Sequence, residues 1–240
     1  MMGLPPITER CLTPSLAERL KTETRALHTA AERSCFMGVL LRGQMERAAY
    51  CTLLRNLHAL YAALEPALVR HALHPMIAPV FLPALWRTRS LELDLLALHG
   101  ADWAGDFALQ PAAHYVRRLK EIEARPERLL AHAYVRFLGD LSGGQALRRI
   151  VAQTWGVPDR SVTAFYEFGD AAQTGASAQA FRDGLGRVAP DAQAANAIVA
   201  EARLAFQLHQ RLFDELAGYP STAGATAVNE ISNGQSPSPE

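Results

Sequence analysis

Residues 131–145 read Ala-His-Ala-Tyr-Val-Arg-Phe-Leu-Gly-Asp-Leu-Ser-Gly-Gly-Gln, an amphipathic helix into which three glycines are set. A glycine in a helix interior costs about 1 kcal/mol relative to alanine. Gly139, Gly143 and Gly144 therefore need a reason to stand around the single acid Asp140. Gly139 and Gly143 are four apart and share one side of a helix. A backbone without side chains there can bend, or lie at van der Waals distance from something flat. Arg136, four residues before Asp140, is close enough to pair with it. The same glycines, with Asp140 and Ser142, also suit an ordinary turn, and the pattern alone leaves both readings open.

Leu141–Gln145 spells Leu-Ser-Gly-Gly-Gln, the signature pentapeptide of ATP-binding-cassette ATPases. That chemistry needs a phosphate loop, Gly-x4-Gly-Lys-Ser/Thr, in the same chain. The nearest spacings, Gly38 to Gly43 and Gly100 to Gly105, are followed by Gln44-Met45 and Asp106-Phe107. A di-iron bundle would need Glu-x-x-His on two helices, and no Glu has His three residues later. The zinc spacing His-Glu-x-x-His is absent as well.

The body of the chain reads as helix. Ser15-Leu-Ala-Glu18 is a capping box opening a helix to about Ser34. A second runs from about Met45 to Arg70, with Leu53, Leu54, Leu57, Tyr61 and Leu64 at helical spacing. Pro75, Pro79 and Pro83 break the chain before a third, about Ala84 to Leu98. Gly100 to Gln110 is a loop, and Pro111 suits the first turn of a fourth helix. Pro126 opens a long helix that carries the glycines to Trp155, where Gly156 and Pro158 end it. A short piece near Phe181 and a last helix, about Pro190 to Ala217, complete an all-α, single-domain body. The reading divides the chain into an extension (1–12), a domain (13–217) and a polar, disordered tail (218–240).

With 240 residues, 49% of them apolar, one core can be buried. Lys+Arg and Asp+Glu are both 24, which argues against a general nucleic-acid binder. Cys11, Cys35 and Cys51 form no Cys-x-x-Cys and read as reduced thiols of a cytosolic protein. Met1–Glu9 is unlike a signal peptide, and no run approaches the ~18 apolar residues of a membrane span. The expectation is a soluble, cytoplasmic protein with no membrane partner.

His28 lies on the first helix, with Lys21 seven residues before it and Glu32 four after. Seven residues are two turns, within roughly 20° of one face. An imidazole on that mainly small and apolar face can ligate iron, with Glu32 on the other ring nitrogen. A core histidine beside a solvated charge pair fits the same stripe.

With these two constellations in hand, the chain resembles the haem oxygenase family. Leu20–Glu32 looks like its proximal helix and Ala131–Gln145 like its distal signature. The likeness continues through Tyr61–Glu65, Ala78–Pro83, Tyr115–Leu119 and Ala205–Leu216, covering roughly Leu12 to Leu216. The resemblance implies haem b, both substrate and cofactor, held between a proximal and a kinked distal helix. It implies oxidative opening at a meso carbon to biliverdin, with release of carbon monoxide and ferrous iron. O2 is consumed, and electrons come from a ferredoxin, a flavodoxin or a reductase. By the same resemblance His28 ligates iron, Glu32 hydrogen-bonds it, and Lys21 and Arg182 meet propionates. Gly139 and Gly143, with Ser142 and Gly144 of the same signature, lie over the porphyrin. Asp140 holds the water that delivers protons. Tyr61, Tyr134 and Arg136 belong to the hydrogen-bond network or propionate edge, and Phe206 and Phe213 to the pocket wall.

The chain departs from the family pattern at Ala178, where animal relatives carry a basic residue, and at Phe137, where relatives carry tyrosine. The tail, ending Ser-Pro-Ser-Pro-Glu240, lacks the apolar anchor of membrane-bound relatives and suits a bacterial member. Arg117, Arg118, Lys120, Arg148 and Arg149 suit either a docking surface for an acidic donor or an ordinary solvated face. Two alternatives stand beside the enzyme: a haem-carrying helical protein without ring-opening activity, and a helical scaffold without cofactor.

Overall fold

The computed structural model describes residues 14–104, 110–156 and 162–218, with 110 and 111 described by backbone alone. The expected extension, Cys11, the stop at Pro158 and nearly all of the expected tail lie outside the described residues. Within them the chain forms eight α-helices and no strand.

Helix α1 (Leu16–Glu32) starts where the capping box requires: the Ser15 hydroxyl accepts from the Glu18 amide at 3.3 Å, and Glu18 accepts from the Ser15 amide at 2.8 Å. Helix α2 (Cys35–Leu41) was not expected. Ser34, read as the end of the first helix, caps this second one by accepting from the Met37 amide. Helix α3 (Arg47–Arg70) continues through Pro66.

Helix α4 (Thr88–His99) starts later than the expected Ala84, after short 3-10 turns at Ala78–Val80 and Pro83–Leu85. No side chain of its own caps it. The buried carboxylate of Glu65, on α3, accepts from the Arg87 and Thr88 amides and the Thr88 hydroxyl. A capping charge from another helix fixes the boundary, because orphan amides at a helix start need an acceptor.

Helix α5 (Gln110–Glu121) precedes α6 (Pro126–Trp155), which runs unbroken through all three glycines to Gly156 at φ 59°. The turn reading of the glycine segment is thereby corrected: its amides and carbonyls are part of a helix ladder. Helix α7 (Ala171–Arg187) is much longer than the short piece expected, and Asp170 and Gln173 form its capping box. Helix α8 (Ala192–Ala217) is capped by Asp191. It packs against both α6 and α1, while α3 packs on α4 and α5.

Gly184 lets α7 lie directly on the Ala78–Val80 turn. A Cβ there would run into the backbone carbonyl of Pro79. Because the neighbour is backbone, Gly184→Ala is expected to cost about 1–3 kcal/mol in urea unfolding. An unchanged midpoint would mean that α7 moves off the turn freely.

Deep between α5, α6 and α8, Glu201 accepts from Arg118 at 2.9 and 2.7 Å, from Arg128 at 3.1 Å and from His132 at 3.1 Å. His132 is fully buried, and its other nitrogen meets the Tyr115 hydroxyl at 3.1 Å. Burial alone would raise the Glu201 carboxyl; the Arg118 and His132 contacts outweigh it and hold the group at about 2, against 4.5 for an ordinary glutamate. A depressed folded value means stability that is complete above pH 4.5 and lost as pH falls toward 2. At about 1.4 kcal/mol per unit this is about 3 kcal/mol. Glu201→Gln should therefore lose about that much in urea melts at pH 7. The gap to the parent should close as the buffer is taken down through this acid window. A gap that stays constant there would contradict the assignment.

Candidate active site

A cavity of about 450 Å³ opens between α1 and α6, closed by α2, α3, α8 and the short 3-10 turn Ala164–Tyr166. His28, Ala31 and Glu32 form the α1 wall, and Met37, Leu40 and Leu41 the α2 wall. Leu53, Leu57, Phe165, Phe206 and Phe213 add apolar surface. The turn is held in place by Asp94 of α4, whose carboxylate accepts from the Ala164 and Phe165 amides at 2.7 and 2.8 Å.

The His28 side chain is 46% exposed, so it is not a core histidine. Its ring meets Phe206 edge-to-face at 5.8 Å, and its Nδ1 stands 3.6 Å from Glu32. That separation suits charge pairing but is longer than a hydrogen bond.

The opposite wall is α6, and its glycines divide by what surrounds them. A Cβ on Gly139 would meet nothing within 4 Å, and one on Gly143 only Leu147 at 4.0 Å. A Cβ on Gly144 would instead touch Tyr166 at 3.5 Å. Gly144 faces Tyr166 at ordinary van der Waals distance and does not line the cavity, whereas Gly139 and Gly143 both do. Those two forgo about 2 kcal/mol of helix stability for which the protein's own packing gives no return. The residues fit a planar, largely apolar group pressed against bare backbone, with an imidazole facing it.

Beside the glycines lies a buried polar cluster. The Tyr61 hydroxyl, on α3, donates to Asp140, and Arg136 donates to the other Asp140 oxygen at 2.7 Å. Arg136 also donates through Nε to the Tyr61 oxygen at 3.3 Å, and its Nη1 lies 3.2 and 3.3 Å from the two ring nitrogens of His209 on α8. Burial pushes the Asp140 carboxyl up, and the Arg136 guanidinium and the Tyr61 hydroxyl pull it back. Burial keeps Tyr61 protonated, well above an ordinary phenol. This geometry gives a carboxyl with one charged and one neutral donor, at the edge of a cavity, able to hold or pass a proton.

Residues 14–215 match the family model described as heme oxygenase. The chain is 38% identical over 209 residues to heme oxygenase 1 of Nostoc sp., covering 86% of this chain and 88% of that protein. The chain belongs to the haem oxygenase family. Degradation of haem to biliverdin is that family's activity. Among solved structures, heme oxygenase-2 of Synechocystis sp. in complex with heme and NO superposes with a TM-score of 0.81 at 38% identity, over 85% of each chain. Heme oxygenase-1 of Synechocystis sp. in complex with heme gives 0.80 at 35%, over 85% of this chain and 93% of that one. Haem oxygenases of this kind are all-α, as this chain is among its described residues. No helix among those residues is long and apolar enough to cross a membrane.

Of the residues singled out from sequence, His28, Glu32, Arg136, Gly139, Asp140, Ser142, Gly143, Phe206 and Phe213 line this haem oxygenase cavity. Tyr61 stands behind Asp140. Tyr134 is partly buried outside the lining, its hydroxyl paired with Thr24 of α1, which ties α6 to α1 one turn before His28. Lys21 and Arg182 are exposed, on α1 and α7, and neither lines the cavity. Sequence reasoning missed the α2 wall, Phe165, Tyr166 and His209. His209 carried a signal, since Phe206, His209 and Phe213 share one helical stripe. Phe165 and Tyr166 carried none, being placed by Asp94 from 70 residues away.

Proposed function

We propose that this chain binds haem b between α1 and α6 and opens it at a meso carbon to biliverdin, releasing carbon monoxide and ferrous iron. The supporting observation is the pair of bare glycines lining a cavity opposite an imidazole, with a proton-holding carboxyl at their edge. Bound haem supplies the iron that activates O2 and the ring carbon that is oxidised. His28 holds the iron as a neutral imidazole, and Glu32 sets its basicity through the second ring nitrogen. Gly139 and Gly143 admit the ring face, with Ser142 completing that wall and Gly144 behind it against Tyr166, while Phe206 and Phe213 exclude water from the other side. Asp140, oriented by Arg136 and Tyr61, holds and delivers the protons that the reaction consumes. Lys21, Tyr134 and Arg182 attend the propionate edge. O2 and an electron donor, a ferredoxin, flavodoxin or reductase, complete the reaction, and the exposed Arg117 and Lys120 of α5 and Arg149 of α6 receive the donor, whereas Arg118 and Arg148 of the expected surface are engaged by Glu201 and Glu167. The setting is the cytoplasm.

The test is haemin titration followed by turnover driven with ascorbate or reduced ferredoxin. The expected result is one equivalent of haemin bound with a Soret band, then biliverdin absorbance and one captured carbon monoxide per haem. Stable haem binding with an intact ring after many equivalents of reductant would identify a carrier instead. No Soret band at all would leave a scaffold.

A further inference from the structure

Three oxidisable rings lead from the cavity toward the surface, and the account so far gives none of them a role in the chemistry. Tyr166, on the short 3-10 turn, is the one phenol or indole among the residues that line the cavity. Its ring lies against Gly144. Its hydroxyl faces that of Tyr50 on α3, and the Tyr50 hydroxyl, fully buried, has no other partner. The Tyr50 ring packs in turn on Trp155 at 5.1 Å between centroids. Trp155 is the last residue of α6, partly exposed, and the exposed Gly156 follows it.

Packing does not explain the two hydroxyls. Phenylalanine at both positions would fill the same space, and replacing both members of a buried polar pair by apolar groups of the same shape is nearly neutral. Phenylalanine cannot, however, give up an electron as a phenol or an indole can. We propose that Tyr166, Tyr50 and Trp155 form a one-electron relay that carries oxidising equivalents from the cavity to the surface. It rests on haem occupying that cavity, as proposed above, and it drains equivalents that miss the meso carbon before they damage the cavity wall. Burial holds both phenols protonated, above the ordinary tyrosine range, so each electron travels with a proton. When a peracid transfers its oxygen atom to the haem site and leaves as the carboxylic acid, Tyr166 gives that oxygen one electron and its phenol proton. Tyr50 restores Tyr166 with an electron and a proton across the facing hydroxyls. Trp155 restores Tyr50, its electron crossing the ring contact and its ring N–H proton replacing the one passed on. A soluble reductant of the ascorbate class returns one hydrogen atom to Trp155. Tyr61 is the competing phenol behind Asp140, but the rings it meets are Phe137 and Phe165, where such a path ends.

The test is haemin-loaded protein mixed with m-chloroperbenzoic acid, freeze-quenched and read by electron paramagnetic resonance. The parent should show a tryptophan radical, narrowed by ring-deuterated tryptophan, and peptide mapping should find added oxygen on Trp155. Tyr50→Phe and Tyr166→Phe keep the packing and should bind haemin within about threefold of the parent, yet each should lose the tryptophan radical and the Trp155 oxidation. Trp155→Phe should leave the radical on tyrosine, narrowed by ring-deuterated tyrosine. A tryptophan radical undiminished in both tyrosine variants, or one sited on Trp86 or Trp103, overturns the relay. A Soret band and biliverdin formation with no tryptophan radical in the parent would sink the relay alone, whereas no Soret band before mixing would sink the haem reading and the relay together.

Discussion

Asp140→Asn binds haemin within about threefold of the parent and forms biliverdin at least about 100-fold more slowly, the usual loss when a positioned proton-transfer group is removed. Asparagine is the informative replacement. Arg136 is buried and donates to Asp140 at 2.7 Å, and Tyr61 donates to the other oxygen. Asp140→Ala removes the acceptor as well as the charge and leaves a cation buried without its partner, which costs about 3–5 kcal/mol. A loss of activity in that variant would mix unfolding with chemistry. Asparagine keeps an oxygen for Arg136 and removes the titratable proton. Stopped turnover with haemin still bound assigns the proton to Asp140. Normal biliverdin output from the Asn variant would take Asp140 out of the mechanism, whatever the Ala variant does.

The second large effect runs in opposite directions for folding and for binding. Gly139→Ala and Gly143→Ala place a methyl group where the protein has no atom within 4 Å, or only Leu147 at 4.0 Å. Each should therefore raise the stability of the haem-free protein by about 0.5–1 kcal/mol, the ordinary gain of alanine over glycine in a helix. Gly139→Leu fills the space a flat ligand needs. An overpacking cost of about 1–3 kcal/mol corresponds to roughly a 10- to 100-fold weaker haemin affinity. Calorimetric melting of the haem-free variants and haemin titration read the two effects separately. Variants that are destabilised would show these glycines to be structural, in the way that Gly184 is where α7 meets Pro79. Variants that are stabilised and bind haemin normally would take the bare ridge out of the site.

The parts of the fold legible in the sequence are those whose boundaries are set within a few residues. α6 begins at Pro126 and ends at Gly156 because a proline suits a first turn and a left-handed glycine ends a helix. The Ser15–Glu18 box fixes α1 in the same way. α4 was misplaced because its cap, Glu65, comes from another helix, 22 residues before Arg87. α2 was missed because seven residues are too few for a periodicity to declare itself. α7 was cut short because Ala171–Ala180, rich in alanine and small polar residues, offers no apolar stripe, although the Asp170–Gln173 box stood in plain view.

The site divides along the same line. The His28 stripe and the glycine segment are local patterns, and the resemblance joined them. The Tyr61–Asp140 pair spans 79 residues, and the His209–Arg136 contact 73. Only the packing of α3, α6 and α8 brings those groups together. Arg136 and Asp140, four apart on one helix, were the part of that cluster that spacing alone could propose.

In the proposed complex an iron porphyrin is held by one imidazole, that of His28. Resonance Raman spectra of the reduced haem complex test this directly through the iron–histidine stretch. The band should be present in the parent, shift when histidine is labelled with 15N, and vanish in His28→Ala, returning when imidazole is added. A labelled-histidine band that survives in His28→Ala would place the iron on another residue and contradict the site described here.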